Sequence, residues 1–533
     1  MSYIPQPTTE NTAAPPRAVA LGHHAVPRPS AGVARDILTW ARRLCTFPAA
    51  LASLLAVTVF TIARDSLADP DIWWHLRNAE YLLTNFRLPR VDAFSFTVIG
   101  HPWINHEWLA EIPYYLAWRA FGLVGIKALS LLVLESIFLG LLYLCWKTSG
   151  NIKASLVVCI FAVMLGSVSF GPRTLLFGYD YLLVLLIILE RFRSRGSAPL
   201  WMLPPLFCLW INTHGSWSLG MVAFGIFIAA GLVQGQWGRL EAQRWSPSQL
   251  RRLGATMAAS AAALFVNPYG YRLVLYPLDM AFHQKLNIAH VAEWVSVDFH
   301  DAWGKLALIL IIALLLGALL SSYKWKLYEV GLVLFGLYSG LTYIRFMFLV
   351  AILAAPLLAR FLDFIPPYQR EIDKPLANAV IMAAVLGFIV GGFPTAAALQ
   401  RSIDSEYPAE AISYLKAHPP AGPALNYYLW GGYLEWNDRD LPTFVDSRVD
   451  IFEYAGVFQD YINLLELKNP EAVLDKYRIQ SVLFPPGEPL TYVLRHDPQW
   501  KEVFTGRVSV IFERSDGTFR TGTSIQGGAP GGR

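Results

Sequence analysis

The sequence predicts a mainly α-helical, polytopic membrane protein: a bundle of about eleven transmembrane helices followed by a small soluble α/β domain. Three observations carry this. The composition is 55% hydrophobic and 15% charged, with positive mean hydropathy, which is too apolar for a water-soluble chain. Apolar runs long enough, or nearly so, to span a bilayer core of roughly 30 Å recur from residue 44 to residue 398. Beyond 400 the pattern changes abruptly to that of a folded soluble unit.

Taken in order, residues 1–43 are rich in Pro, Ala and Ser and include Arg35, Arg42 and Arg43. So long and polar a lead is not an ordinary signal peptide; it predicts a disordered cytoplasmic tail before an uncleaved first helix. The predicted crossings are 44–63, 123–146, 152–170, 174–192, 199–213, 215–234, 252–267, 303–320, 325–343, 345–362 and 376–398. Segment 107–121 is short and carries Glu107, Glu111, Pro113 and Arg119, which places it at the interface as the end of a long first loop, 64–122. The transmembrane domain is thus 44–399. In the soluble domain, 400–515, helical patterns fall near 408–417, 456–467 and 470–477, and strand-like runs at 442–446, 479–484 and 507–513. Its most distinctive stretches are Tyr428-Leu-Trp-Gly-Gly-Tyr433 and Val445-Asp-Ser-Arg448, and a Gly-rich tail, 516–533, ends the chain.

Lys and Arg orient the bundle. With a cytoplasmic N-terminus and 107–121 not crossing, the cytoplasmic loops hold Lys147 and Lys153; Arg191, Arg193 and Arg195; Arg239, Arg244, Arg251 and Arg252; Lys324 and Lys326; and Arg360, Arg370 and Lys374. The opposite loops after the first keep only Arg173, Arg272, Lys285 and Arg345. If 107–121 crossed, every later basic cluster would be translocated. The unusual polar residues, which played no part in this count, then gather outside: Asp69/Asp71, His106-Glu107, Gly171-Pro-Arg173, Asn212-Thr-His-Gly215, Asn267-Pro-Tyr-Gly270, His290, Glu293-Trp294 and Arg345. A site at the external membrane face is the simplest reading.

Several classes are excluded. The net charge of +4 is small and its basic residues sit in short clusters between apolar runs, so no nucleic-acid partner is implied. Cys45, Cys145, Cys159 and Cys208 lie in or beside apolar segments without CxxC spacing, which argues against a disulfide framework or a thiolate metal site. No Walker loop, GxSxG elbow, HExxH helix or Rossmann fingerprint is present.

The richest stretch is Asp69-Pro-Asp-Ile-Trp-Trp-His-Leu-Arg77. If it is extended, Asp69 and Asp71 share a face and converge on a cation or an acceptor hydroxyl; otherwise Asp69-Pro70 starts an interfacial helix with Trp73 and Trp74 as anchors. His75, Arg77, His106 and Glu107 add polar groups to the same loop, with solvated loop residues as the bland alternative. Asp180 lies in an apolar run and needs a partner, either Arg173 two turns away or the site. Arg345 and Lys285 are candidates for neutralising a lipid phosphate, or for snorkelling. Glu293-Trp294 sets a carboxylate beside an aromatic platform.

On these residues the chain resembles the GT-C class of polytopic glycosyltransferases, which use polyprenyl-phosphate-linked sugars. The matching features are a first helix followed by a long external loop bearing Asp69-Pro-Asp71, the segment His106-Glu107-Trp108, an Arg-bearing entry to the fourth helix, and a soluble domain after the bundle. It is most similar to bacterial members with motifs such as DPDxWWHLR, WxNxHG and NPYG. The resemblance implies inverting transfer of a sugar from a polyprenyl phosphate to a glycan, lipid or protein acceptor at the extracytoplasmic face of a bacterial inner membrane. It puts Asp69 or Asp71, with Glu107, at the reacting centre as base or metal ligand, and Arg345 with Arg173 or Lys285 on the departing phosphate. His75, Arg77, His106 and Glu293 fall among the substrate contacts. A divalent cation, Mg or Mn, is optional, with Asp69, Asp71 and Asp180 as its ligands; Asp180 matches the second acidic position only loosely. Two other classes stand beside this one: a transporter or lipid flippase, which favours internal repeats, and a non-catalytic scaffold with an external binding domain.

Overall fold

A computed structural model describes residues 44–515 apart from Ser66 and Ala68; the predicted tails at 1–43 and 516–533 lie outside the described residues. All eleven predicted apolar segments coincide with helices, from Phe47–Ala63 to Pro375–Gly391. Among the described residues four helices are long and apolar enough to cross a bilayer: Trp108–Ser149, Ile152–Ser169, Ala302–Leu320 and Ile344–Phe361. A fifth results if Pro375–Gly391 and Ala396–Asp404, bent by 59°, count as one span. The difference from about eleven crossings is partly one of length, since Leu203–Thr213 has 11 residues, about 16 Å of helix and half a hydrocarbon core, and partly one of charge, since Leu175–Arg195 is 21 residues long but carries Asp180, Glu190, Arg191, Arg193 and Arg195.

Ile344–Phe361 forms the axis of the bundle, with 78% of its apolar window buried, whereas Ala302–Leu320 is only 17% buried and lies at the periphery. Around the axis, Phe348 stacks on Phe138 and meets Tyr179 at centroid distances of 5.2 and 4.6 Å.

The helix Trp108–Ser149 is two arms joined at Gly122, whose φ of 58° and ψ of −140° are open to glycine alone. The break separates the arm from Trp108 to Phe121, which leans on the first-loop helix Asp71–Asn85, from the apolar arm beyond it. Residues 108–121 are therefore a helical arm with its own direction.

The C-terminal region contains the predicted helices as Ala409–Ala417, Val457–Leu465 and Pro470–Lys476, and a four-stranded sheet in the order Ala424–Asn426, Ser481–Phe484, Val510–Arg514, Trp500–Thr505. The first pair is parallel and the others antiparallel. The stretch 442–446 is not a strand. Its strand-like look comes from the adjacent buried Phe444 and Val445, but among the described residues only Thr443 bridges another backbone, at Ser95, and the next bonds end on side chains: Phe444 N–H donates to Asn426 Oδ1 at 2.7 Å, and Phe444 O accepts from Thr97 at 2.6 Å.

This region shares its core with the first loop. Trp74, Val98 and Trp103 pack with Phe444, Phe452 and Tyr461. Ile72, Trp73, Leu76 and Tyr114 pack with Leu399, Tyr407, Trp430 and Tyr433. The Gly431-Gly432 pair permits this approach, since a Cβ on Gly432 would stand 3.0 Å from the carbonyl of Pro70 and 3.1 Å from Trp74.

A Cβ on Gly122 would meet nothing within 4 Å, so Gly122→Ala isolates backbone strain. It is expected to cost about 1–3 kcal/mol, read as a lowered thermal unfolding midpoint in detergent; an unchanged midpoint would show that the break is not held.

Candidate active site

The motif Asp69-Pro-Asp71 lies where a turn becomes a helix, so its two carboxylates diverge instead of sharing an extended face. Asp69 is fully buried; its Oδ1 accepts the Asp71 N–H at 3.0 Å and its Oδ2 accepts Arg173 Nε at 2.7 Å. It starts the helix and clamps Arg173 at once. Asp71, in the first helical turn, faces a cavity of roughly 550 Å³ lined by residues of the first loop, 214–219, 276–294, 343–346 and 428–450. Trp74 Nε1 is shared between Asp71 Oδ1 at 3.2 Å and Ser447 Oγ at 3.1 Å. Burial, then the charge of Asp69, push the Asp71 carboxyl up to about 7, against His75 and Ser447. That is the range of a general base at neutral pH.

Glu107 lies on the same cavity inside a ring of imidazoles. Its Oε1 accepts from Thr174 at 2.7 Å and faces His214 Nε2 at 3.2 Å and His106 Nε2 at 3.6 Å, while Oε2 lies 3.7 Å from His75 Nε2. Burial raises its pKa, but His106, His75, His214 and Thr174 outweigh it and hold the carboxylate at about 2. His214 Nδ1 accepts the Ser216 N–H at 2.9 Å, which puts the proton on Nε2, toward Glu107. Burial lowers His214 to about 3, so it remains this neutral donor. Behind them His75 Nδ1 meets Glu111 Oε1 at 3.1 Å, and Asn105 donates to both Glu111 oxygens.

The cationic part of the cavity is built from Arg173, Glu293 and Arg345. Arg173 pairs with Glu293 as well as with Asp69, and Arg345 lies 4.0 Å from the other Glu293 oxygen. Burial disfavours the Glu293 carboxylate, but Arg173 and Arg345 outweigh it and draw its pKa down. Arg345 stacks over Trp294 at 4.3 Å, and its buried Nε has no hydrogen-bond partner among the described residues. It is a guanidinium with donors to spare, which suits a phosphate.

Of the predicted site residues, Asp71, His106, Glu107, Arg173, Glu293 and Arg345 line one cavity, with Asp69 and His75 directly behind it. The others lie elsewhere. Arg77 pairs with Glu80 at 2.9 Å and stacks on Phe94. Lys285 is exposed at the start of Lys285–His290. Asp180 accepts from Ser136 at 3.0 Å instead of meeting Arg173. Sequence reasoning did not single out His214, Tyr276, Ser447 and Asp450 as lining residues. His214 is signalled by the Trp210-Ile-Asn-Thr-His-Gly215 break, which Trp108 reaches by donating to Asn212 at 3.1 Å, and Ser447 by the Val445-Asp-Ser-Arg stretch.

No protein-family model matches the chain, and no curated protein does. Among solved structures it is similar to the crystal structure of the Archaeoglobus fulgidus oligosaccharyltransferase tethered with an acceptor peptide. There the identity is 12% and the TM-score 0.53, over 84% of this chain and 70% of that one. The chain has the GT-C fold. It is also similar to ArnT from Cupriavidus metallidurans bound to undecaprenyl phosphate, with 12% identity and a TM-score of 0.47 over 87% of this chain and 97% of that one. Within this fold, the set Asp69, Asp71 and Asp180 does not fit a divalent cation. Both Asp69 oxygens are taken, Asp180 is on a bundle helix away from the cavity, and no group of three or more His, Cys, Asp or Glu side chains among the described residues is arranged for a metal.

The Asp71 pKa, about 7 in the fold against an ordinary 3.8, has a consequence for stability. Between these values the native state binds more protons than the unfolded one, so this group's contribution to stability falls as pH rises through the window. Asp71→Asn should therefore gain in thermal midpoint over the parent from about pH 4 to pH 7 and then level off; a pH-independent difference in melting scans would refute it.

Proposed function

We propose that the chain transfers a sugar from a polyprenyl-phosphate donor to a hydroxyl acceptor at the extracytoplasmic face of the membrane. One observation carries the reading: a single cavity holds a carboxyl poised near neutrality, Asp71, and a guanidinium with unspent donors, Arg345. Asp71 takes the proton of the acceptor hydroxyl as its oxygen attacks the anomeric carbon. The bond from that carbon to the phosphate oxygen breaks, and the departing phosphate carries its electron pair to Arg345 and Arg173. Attack opposite the leaving group inverts the anomeric centre.

The surroundings support this assignment. Leu219, Met280, Ile288 and Phe346 give the same cavity an apolar margin that suits an isoprenoid chain. The external placement is supported by the Lys and Arg count, because the residues it assigned outside, from Asp71 through Arg173 and His214 to Arg345, converge on this one cavity. The similarity to an oligosaccharyltransferase supports the fold in which such chemistry is housed.

In membranes containing the full chain, Asp71→Asn is expected to reduce consumption of a labelled polyprenyl-phosphate sugar by roughly a hundredfold or more; unchanged turnover would sink the reading. The parent's rate should rise with pH through an acid limb near 7 as Asp71 ionises. Arg345→Ala should weaken the donor more than the acceptor, seen as a raised KM for the lipid. Cysteine labelling at position 106 and not at position 196 by an impermeant reagent tests the topology, and the reverse pattern would overturn it.

A further inference from the structure

The proposed transfer leaves one wall of the cavity without a task. Tyr276, on the helix Tyr271–His283, donates its hydroxyl to Asp450 Oδ2 at 3.1 Å and stacks on His106 at 4.5 Å with 29° between the planes. Trp103 adds a further aromatic face. Asp450 lines the cavity while only 8% exposed. Burial lifts its carboxyl to about 6, with His106 and Tyr276 opposing, so it is largely ionised at neutral pH.

The cation on this wall, Arg448, is already neutralised. Its NH2 meets Asp92 at 2.8 Å, its Nε meets Asp446 at 2.9 Å, and Glu435 stands 3.6 Å away. It also stacks on Trp103, 4.9 Å from the ring centroid. The wall therefore offers flat aromatic faces and a carboxylate acceptor, but no uncompensated positive charge. Aromatic faces suit the C–H faces of a saturated ring, and a carboxylate suits its hydroxyl donors. A negatively charged ring would be repelled.

We propose that this wall is the acceptor subsite, and that Asp450 selects a hydroxyl-bearing ring without negative charge. The inference rests on the transferase reading for the word acceptor, while the binding chemistry stands by itself. The test uses the purified full chain in nanodiscs and three probes: phenyl β-glucoside, phenyl β-glucuronide and farnesyl phosphate, titrated by ligand-observed NMR. The glucoside is expected to bind at least tenfold more tightly than the glucuronide, and Asp450→Asn should erase most of that preference.

Asp450→Asn should leave farnesyl phosphate binding unchanged, which also reports that the variant is folded. If that binding is lost, Tyr276→Phe is read in its place: it keeps the carboxylate and removes its hydroxyl partner, so preference retained with a severalfold change in glucoside affinity supports the subsite, and no change overturns it. A wild-type chain without the preference, or a folded Asp450→Asn that keeps it, overturns the proposal. Failure of the wild type to bind farnesyl phosphate, with the glucoside preference intact, would instead overturn the donor reading and leave the ring subsite standing.

Discussion

The site depends on the ion pair between the buried Asp69 and the half-buried Arg173. Removing two charges from water costs several kcal/mol each and is offset only where geometry is close and the remaining valences are filled. Asp69 meets that condition with one oxygen on the Asp71 N–H and the other on Arg173 Nε. Arg173 continues to Glu293, and Glu293 to Arg345, so charges of alternating sign join the first loop, the 171–173 turn, the 292–294 turn and the 344–346 turn. One aspartate of the motif is spent on this chain. Its negative charge, held by Arg173 against its burial, is in turn part of what lifts Asp71, two residues on.

Four carboxylates line the cavity, and for the three away from the Asp450 wall the surroundings push the proton affinities apart. Glu107, held at about 2 by imidazoles and a hydroxyl despite its burial, is kept as the anion that faces His214 and His106. Glu293 is fixed as an anion by two guanidiniums. Asp71 has no cation in direct contact; its hydrogen-bond donor is an indole. The acid–base assignment follows from these partners more than from the residue type, which all three nearly share.

Much of this was legible in the sequence, and the boundary is physical. Apolar runs announce bundle helices because burial is a property of composition, so all eleven segments are helical. Charged residues between such runs stand out as costly, which is why Arg173, Glu293 and Arg345 were identifiable. Arg77 belongs to the same stretch as Asp71 but not to the cavity: in a helix, position i+6 from Asp71 turns away, whereas i+3 and i+4, Trp74 and His75, stay on its side. Tyr276 and Asp450 meet across 174 residues, and no local pattern encodes that. The 442–446 error has the same origin, since a short buried run looks alike whether its backbone bonds form a ladder or end on side chains, here Asn426 of the same region and Thr97 of the first loop.

The shared core gives the C-terminal region a part in the chemistry proposed for the first loop. Ser447 and Asp71 accept from the same indole N–H, and the contact with Ser447 lowers the Asp71 pKa against its burial. A base in a dry site faces a conflict: desolvation strengthens its pull on a proton but also keeps it protonated. Without the 447 contact, burial and Asp69 would carry Asp71 further into the protonated range, where it accepts nothing at neutral pH. The segment after Val445 is thus placed to hold the proposed base near the point where both demands are met, and the close approach allowed by Gly431-Gly432 packs this region against the helix that carries Asp71.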